Sequence, residues 1–198
     1  MEEHPLKYCI LMGSPRKNGN TASLLKIFTE ELTSLGASHD MFWLYDKEIN
    51  PCIACRVCQK DWTKFGCKFN DDVQEIFDAI IACDVIVLAT PIYSWYCTAP
   101  MKALLDRLVY GMNKYYGDEK GPSLWQGKKL ALITTCGYRP EKGSDLFQSG
   151  IERYCKHSQL EYMGMLSERD LGYNHTFMDS EREDNVRKFA GVLCNDIS

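Results

Sequence analysis

The apolar positions of this chain change period several times, and each change marks an element. Tyr8-Cys9-Ile10-Leu11-Met12 is a continuous apolar run of strand length, so Lys7–Met12 reads as a strand buried on both faces. From Thr21 the spacing turns helical. Leu24, Leu25, Phe28, Leu32 and Leu35 share one face, predicting a helix over Thr21–Leu35 with Gly36 as its stop. Asp40–Tyr45 reads as a short second strand. Asn70-Asp71-Asp72 is an acidic helix start, followed by Val73, Ile76, Phe77, Ile80 and Ile81 at i, i+3, i+4, i+7 and i+8; Asp84 ends that helix. Val85–Ala89 is the most strand-like run of all. Pro100 suits the first turn of a helix through Met101, Leu104, Leu105 and Leu108. Lys129–Thr135 and Leu160–Leu166 complete five strands, the last interrupted by Gly164. Asp145–Lys156 and Glu181–Cys194 read as helices, the latter with Val186, Phe189, Ala190 and Leu193 facing inward.

Strands that alternate with helices in this way predict a doubly wound α/β fold: a five-stranded parallel sheet with helices on both faces. A polar loop directly after the first strand fits the strand order 2-1-3-4-5. At 198 residues, with 45% hydrophobic and 25% charged residues, positions 1–198 are expected to form one domain. Two segments stand outside the alternation: a cysteine-rich loop over 46–69 and an insertion-like loop over 111–127, which contains Tyr115 and Tyr116. Ligands of such sheets bind at the carboxyl ends of the strands, near the point where the strand order reverses. The loops 13–20, 90–99 and 136–144 are expected to meet there.

The first of these loops carries the strongest chemical signal. Leu-Met-Gly-Ser-Pro-Arg-Lys-Asn-Gly-Asn-Thr over 11–21 joins a buried strand to a helix. Loop N–H groups and a helix N-terminus then point at one place, and the helix dipole favours an anion there. Ser14, Asn18, Asn20 and Thr21 add short donors, and Arg16 and Lys17 add charge. A Walker A loop would need Gly, four residues, then Gly-Lys-Ser/Thr, whereas Gly13 is followed by five residues and Gly19-Asn20-Thr21. The three-glycine dinucleotide fingerprint is also absent. A donor-lined loop of this kind suits a terminal monoester phosphate such as that of FMN. The plain alternative is a polar turn with Asn20 as helix N-cap.

Pro91, Ile92, Tyr93, Ser94 and Trp95, in the loop after the third strand, offer a flat apolar wall and backbone donors for a planar ring. The alternative is that its aromatics cap the sheet or face another subunit. Thr135, Cys136 and Gly137 open the loop after the fourth strand, where backbone N–H groups are placed to bond a ring's polar edge. Arg139, further along, is a candidate for a reduced anionic ring or a nicotinamide donor's phosphate.

Composition narrows the class. No apolar stretch reaches the ~18 residues needed to span a bilayer. The N-terminus, Met-Glu-Glu-His-Pro, lacks a signal peptide's regions, so a cytoplasmic protein is expected. A net charge of −4 with no lysine-rich run argues against nucleic acid. Ten cysteines in a reducing compartment read as thiols, metal ligands or redox groups. Cys52, Cys55, Cys58 and Cys67 form C-x₂-C-x₂-C-x₈-C, which leaves three readings open: a [4Fe–4S] cluster, a zinc ion, or thiols that shape the loop. The other cysteines, at 9, 83, 97, 136, 155 and 194, read mostly as packing residues. His4, His39, His157 and His175 share no metal-ligand spacing.

Gly-Ser-Pro-Arg-Lys-Asn-Gly-Asn-Thr at 13–21, Asn-Pro-Cys-Ile-Ala-Cys-Arg-Val-Cys at 50–58, Asn-Asp-Asp-Val at 70–73 and Ala-Thr-Pro-Ile-Tyr at 89–93 occur in order, followed by Lys102 and Asp106-Arg107. In these residues the chain resembles the flavodoxin-like NAD(P)H-dependent FMN reductases and, more narrowly, the iron–sulfur flavoproteins and their cluster-free relatives. The resemblance covers the first 110 residues; the last third is less distinctive. It implies FMN, with the phosphate at Ser14, Arg16, Asn20 and Thr21 and the ring between 91–95 and the loop from 136. It also implies a homodimer or a dimer of dimers, and hydride transfer from NADH or NADPH to a quinone, free flavin or a similar small acceptor. The eight-residue last cysteine gap is longer than in the cluster-bearing members. Asp106-Arg107 is read as structural, at the end of its helix. Two other functions compete: an electron carrier served by a protein redox partner, and a redox or metal sensor built on the cysteine loop.

Overall fold

A computed structural model describes residues 5–195; His4 lies outside them. Five strands, β1 (Lys7–Met12), β2 (Ser38–Trp43), β3 (Val85–Pro91), β4 (Lys129–Cys136) and β5 (Glu161–Arg169), form one sheet. All pairings are parallel, and the order is β2-β1-β3-β4-β5. This is the expected flavodoxin-like fold.

The strands alternate two cores. Tyr8, Ile10, Met12, Val87, Ala89 and Ile133 face α1 (Asn20–Ser34) and α6 (Ser180–Asn195). Cys9, Leu11, Ile86, Leu88, Leu130 and Leu132 face α2 (Val73–Ala82), α3 (Ala99–Met112) and α5 (Asp145–Ser158). Burial on both faces explains the unbroken apolar runs of the central strands. The helical stripes hold with two exceptions at their ends: Leu35 and Ile81 are exposed. Leu35 is the C-cap residue of α1, and Gly36, at φ +81°, turns the chain so that Ala37 N–H bonds Leu32 O.

Several boundaries differ from the sequence reading. β2 lies at Ser38–Trp43 and not at Asp40–Tyr45, and β3 runs on to Pro91, which takes that residue out of the following loop. A short helix, α4 (Pro140–Gly143), occupies part of the stretch read as loop. β5 runs past Leu166 to Arg169 because Gly164, at φ +102°, accommodates a register shift against β4 between Leu130 and Leu132. α3 runs to Met112, which places Asp106 and Arg107 within the helix and not at its end.

The insertion after α3 is tied into the molecule. Asn113 and Ser123 form an isolated bridge, and Asn113 Oδ1 accepts bonds from Trp125 Nε1 and Ser123 Oγ. Trp125 is buried, while Tyr116 packs against Tyr110 and bonds His157. Tyr115 lies within the same ring cluster, so both tyrosines pack the inserted loop.

Candidate functional site

The carboxyl ends of β1, β3 and β4 open onto one cleft of about 450 Å³. The strand order reverses here, because β1 pairs with β2 on one side and β3 on the other. Ser14, Arg16, Asn20 and Thr21 line one end; Pro91, Ile92, Tyr93, Thr135, Cys136 and Gly137 line the rest. The three loops expected to meet do so.

The phosphate-loop end is built for an anion. Gly19 takes the N-cap position of α1 and no side chain caps the helix. The first N–H groups of α1 therefore have neither intrahelical nor capping side-chain partners at the cleft wall. Asn20 is the first helical residue, which removes its reading as the N-cap. The loop itself is held from within: Ser14 Oγ accepts a bond from Arg16 N–H (3.1 Å). Gly13 is packed so closely that an added Cβ would lie 2.9 Å from Thr98 Oγ1, and Gly13 O accepts that hydroxyl at 2.7 Å. Thr21 and Thr135 hydroxyls meet at 2.7 Å and pin the start of α1 to the end of β4.

Beside this cleft lies a second one of about 440 Å³, which shares Ile92, Tyr93, Cys136 and Gly137 with it and adds Ser94, Trp95 and Tyr138. Ser94 and Trp95 both adopt positive φ (51° and 62°), a conformation seldom taken by non-glycine residues. Trp95 stacks on Tyr138, with centroids 5.9 Å apart, and its Nε1 donates to Lys142 O. Strain retained in a loop that walls a cleft is a functional signal.

Two sequence candidates fall elsewhere. Asn18 lines a separate surface cleft with Lys17 and Trp43, because the loop turns outward before Gly19. Arg139 is exposed at the start of α4 and lines neither main cleft. The sequence reading missed the loop after β5: Asp170, Gly172, Tyr173, His175 and Phe177 close the main cleft from the far side. Its signal was positional, since it too follows the carboxyl end of a parallel strand.

The four cysteines of the 46–69 loop gather around a second small cavity, together with Arg56, Lys68 and Arg107. Among the described residues, no group of three or more His, Cys, Asp or Glu side chains is set to hold a metal ion. The loop nevertheless points N–H groups at sulfur. Ala54 N–H bonds Cys52 Sγ (3.4 Å), and Gln59 Nε2 lies 3.7 Å from Cys58 Sγ. Ala54 and Arg56 hold positive φ, which gives the turn a nest-like path. Burial pushes the Cys58 thiol up, against the opposing pull of Gln59 and Lys114. The six remaining cysteines are all buried, as packing residues would be.

Two buried cations hold this loop. Arg107 makes a two-pronged pair with Asp71 (2.6 and 3.0 Å), and both side chains are 1% exposed. Asp71 also accepts Asn50 N–H and Nδ2, so the acidic helix start serves an ion pair and not only the dipole. Lys114 is fully buried and donates to Cys58 O and Lys64 O, both at 2.7 Å. Burial lowers its ammonium pKa. Replacing Lys114 with Met would leave the buried Cys58 carbonyl without that donor, at about 1–3 kcal/mol, while water can reach the Lys64 carbonyl. Faster alkylation of Cys58 by iodoacetamide, with the global unfolding transition retained, is the expected result. Gly111 in α3 faces the same loop, and a Cβ there would come within 2.0 Å of Phe65. Gly111→Ala is therefore expected to destabilise the protein by about 1–3 kcal/mol in urea unfolding.

A family model for NADPH-dependent FMN reductases matches residues 6–145. The chain belongs to that family. It is 35% identical over 102 residues to an iron–sulfur flavoprotein of Methanocaldococcus jannaschii, a match covering 52% of this chain and 51% of the relative. It is 33% identical over 105 residues to one from Methanosarcina thermophila, covering 52% and 53%. The chain thus spans about half the length of the curated relatives it matches. An NAD(P)H:quinone oxidoreductase from Methanothermobacter marburgensis has the same fold, with a TM-score of 0.68 at 21% identity over 97% of this chain and 99% of the other.

FMN fits this cleft on the residues present. An uncapped helix N-terminus and Ser14 suit the phosphate, and the two adjoining clefts give a flat ring a continuous bed. Among the described residues, no helix is long and apolar enough to cross a membrane.

Proposed function

We propose that this protein is an FMN-dependent oxidoreductase that takes hydride from NAD(P)H and reduces a quinone, a flavin or a similar small acceptor. One observation carries the reading: an uncapped helix N-terminus and two strained or glycine-containing loops converge at the reversal point of the sheet. The bound flavin supplies the hydride and electron chemistry. The protein's task is placement. Ser14, Arg16, Asn20 and Thr21 hold the phosphate, residues 91–95 and Thr135–Gly137 hold the ring, and Tyr173 and His175 bound the open side. We further propose a cytoplasmic homodimer, since Tyr93, Trp95 and Tyr138 leave large apolar area exposed beside the cleft.

The test is the absorption spectrum of the purified protein with FMN, followed by NADH and NADPH oxidation with menadione. Flavin bands and acceptor-dependent oxidation are expected. Failure to take up FMN would overturn the reading.

A second reading is favoured by the clustering of Cys52, Cys55, Cys58 and Cys67 at one cavity with N–H groups aimed at sulfur. In it, the loop holds a [4Fe–4S] cluster that passes single electrons, with a protein redox partner as the acceptor. Iron and acid-labile sulfide analysis on anaerobically purified protein decides it: ~4 of each per chain supports it.

A further inference from the structure

The loop after β5 is fastened at both ends. At its start, Asp170 N–H donates to Cys136 O (2.8 Å) and Arg169 Nε to Gly137 O (3.2 Å), which ties it to the segment assigned above to the ring. At its end, Phe177 and Met178 pack against the core that α1 and α6 cover. Arg182 of α6 clasps the two ends together. Its Nη2 donates to Arg169 O (3.3 Å), its Nη1 donates to the Asp179 carboxylate, and its guanidinium lies 5.2 Å from the Phe177 ring centroid.

Between these anchors, the hydrogen bonds of residues 171–176 stay within the loop. Gly172 N–H bonds Asp170 Oδ1 (2.9 Å), and His175 N–H bonds Gly172 O (3.2 Å). Gly172 holds φ +96°, and a Cβ there would meet nothing within 4 Å, so the tip has room to move. Tyr173 stands at this tip. Its side chain borders the main cleft and is nevertheless 97% exposed. A loop with fixed ends, a glycine at its bend and few packed contacts at its tip can swing at little cost. An aromatic ring at the rim of a cleft gains apolar burial only when a flat surface arrives beneath it. A phosphate offers no such surface, whereas a flavin does.

We infer that residues 170–177 form a lid, and that on closing Tyr173 packs its ring against the flavin of bound FMN and retains the cofactor. This rests on the FMN reading given above. Tyr173 is a binding residue and takes no part in the transfer of hydride or electrons.

Flavin uptake by the unaltered protein is measured first, from its absorption spectrum. Failure to take up FMN would overturn the FMN reading and this inference with it; with uptake shown, the remaining results bear on the lid alone. Release of FMN on dilution is then compared in three proteins. Tyr173→Ala is expected to release FMN about tenfold faster, a factor equivalent to about 1.4 kcal/mol. Tyr173→Phe is expected to stay within about twofold of the unaltered protein, because the ring and not the hydroxyl makes the contact. Tyr173 is almost wholly in solvent, so both variants keep the fold. Equal rates in all three proteins would overturn the inference.

Chymotrypsin cleavage after Tyr173, identified by mass spectrometry, reads closure in the unaltered protein. FMN and saturating riboflavin are each expected to slow it about tenfold, in proportion to the loss of the open form. Protection by inorganic phosphate alone would show that the loop answers the anion and not the ring. That result, resistance to cleavage before any flavin is added, or a cleavage rate unchanged by either flavin would overturn the inference.

Discussion

Replacing Ser14 with Asp is expected to weaken FMN binding about 100-fold or more while leaving riboflavin binding nearly unchanged. Ser14 is buried at the phosphate-loop end of the cleft, and its Oγ accepts Arg16 N–H. An aspartate can accept the same N–H, so the loop keeps its turn. The new carboxylate would then face the phosphate that the loop is proposed to hold. Two unit charges about 6 Å apart at an effective dielectric of about 20 repel by about 2.8 kcal/mol, equivalent to about 100-fold in affinity. Riboflavin lacks the phosphate and so reports ring binding alone. Fluorescence titration of the apoprotein with each flavin reads both values. Equal losses for FMN and riboflavin would mean that the loop had been deformed, and no loss for either would place the phosphate elsewhere.

Asp71→Ala is expected to destabilise the protein by about 3–5 kcal/mol at neutral pH, because it leaves the Arg107 guanidinium buried and uncompensated. The effect is larger than for a surface pair such as Lys102–Asp106, worth about 0–1 kcal/mol, because water cannot take the place of the lost carboxylate. The pH dependence has a definite sign. Burial alone would raise the Asp71 carboxyl, but the bonds from Arg107 and Asn50 hold it below the usual carboxylate range. Its stabilisation is therefore complete above the ordinary aspartate range. It is lost as pH falls through the lower folded-state value, where the carboxylate takes up a proton. Urea unfolding of both proteins from neutral to acid pH should show their stabilities converging in acid. A constant gap would show that the loss came from packing and not from the charge. The cysteine loop should open in the variant, since Asp71 also anchors Asn50 at its start.

Much of this architecture is written in local order. The five-residue apolar run Tyr8–Met12, too short for a helix and bounded by polar residues, reads as a central strand of a covered sheet, and Lys7–Met12 is that strand. The apolar stripes of α1, α2 and α3 place Leu24, Ile76 and Leu104 inside because a helix with one apolar face has one way to bury it. The phosphate loop is legible for the same reason: a strand, a glycine turn and a helix N-terminus are consecutive in the chain, and their N–H groups converge without help from elsewhere.

Tertiary structure decided whatever depends on residues far apart in sequence. That Arg107 meets Asp71, and that Asn18 turns away from the cleft while Thr21 turns into it to meet Thr135, follows from how loops settle against the folded sheet. The wall supplied by Tyr173 and His175 exists because β5 runs to Arg169, and that length is set by pairing with β4 and the register shift allowed at Gly164. Hydrophobic period and turn chemistry are properties of neighbours along the chain. The partners of buried polar groups are chosen by long-range packing, and no local pattern encodes them.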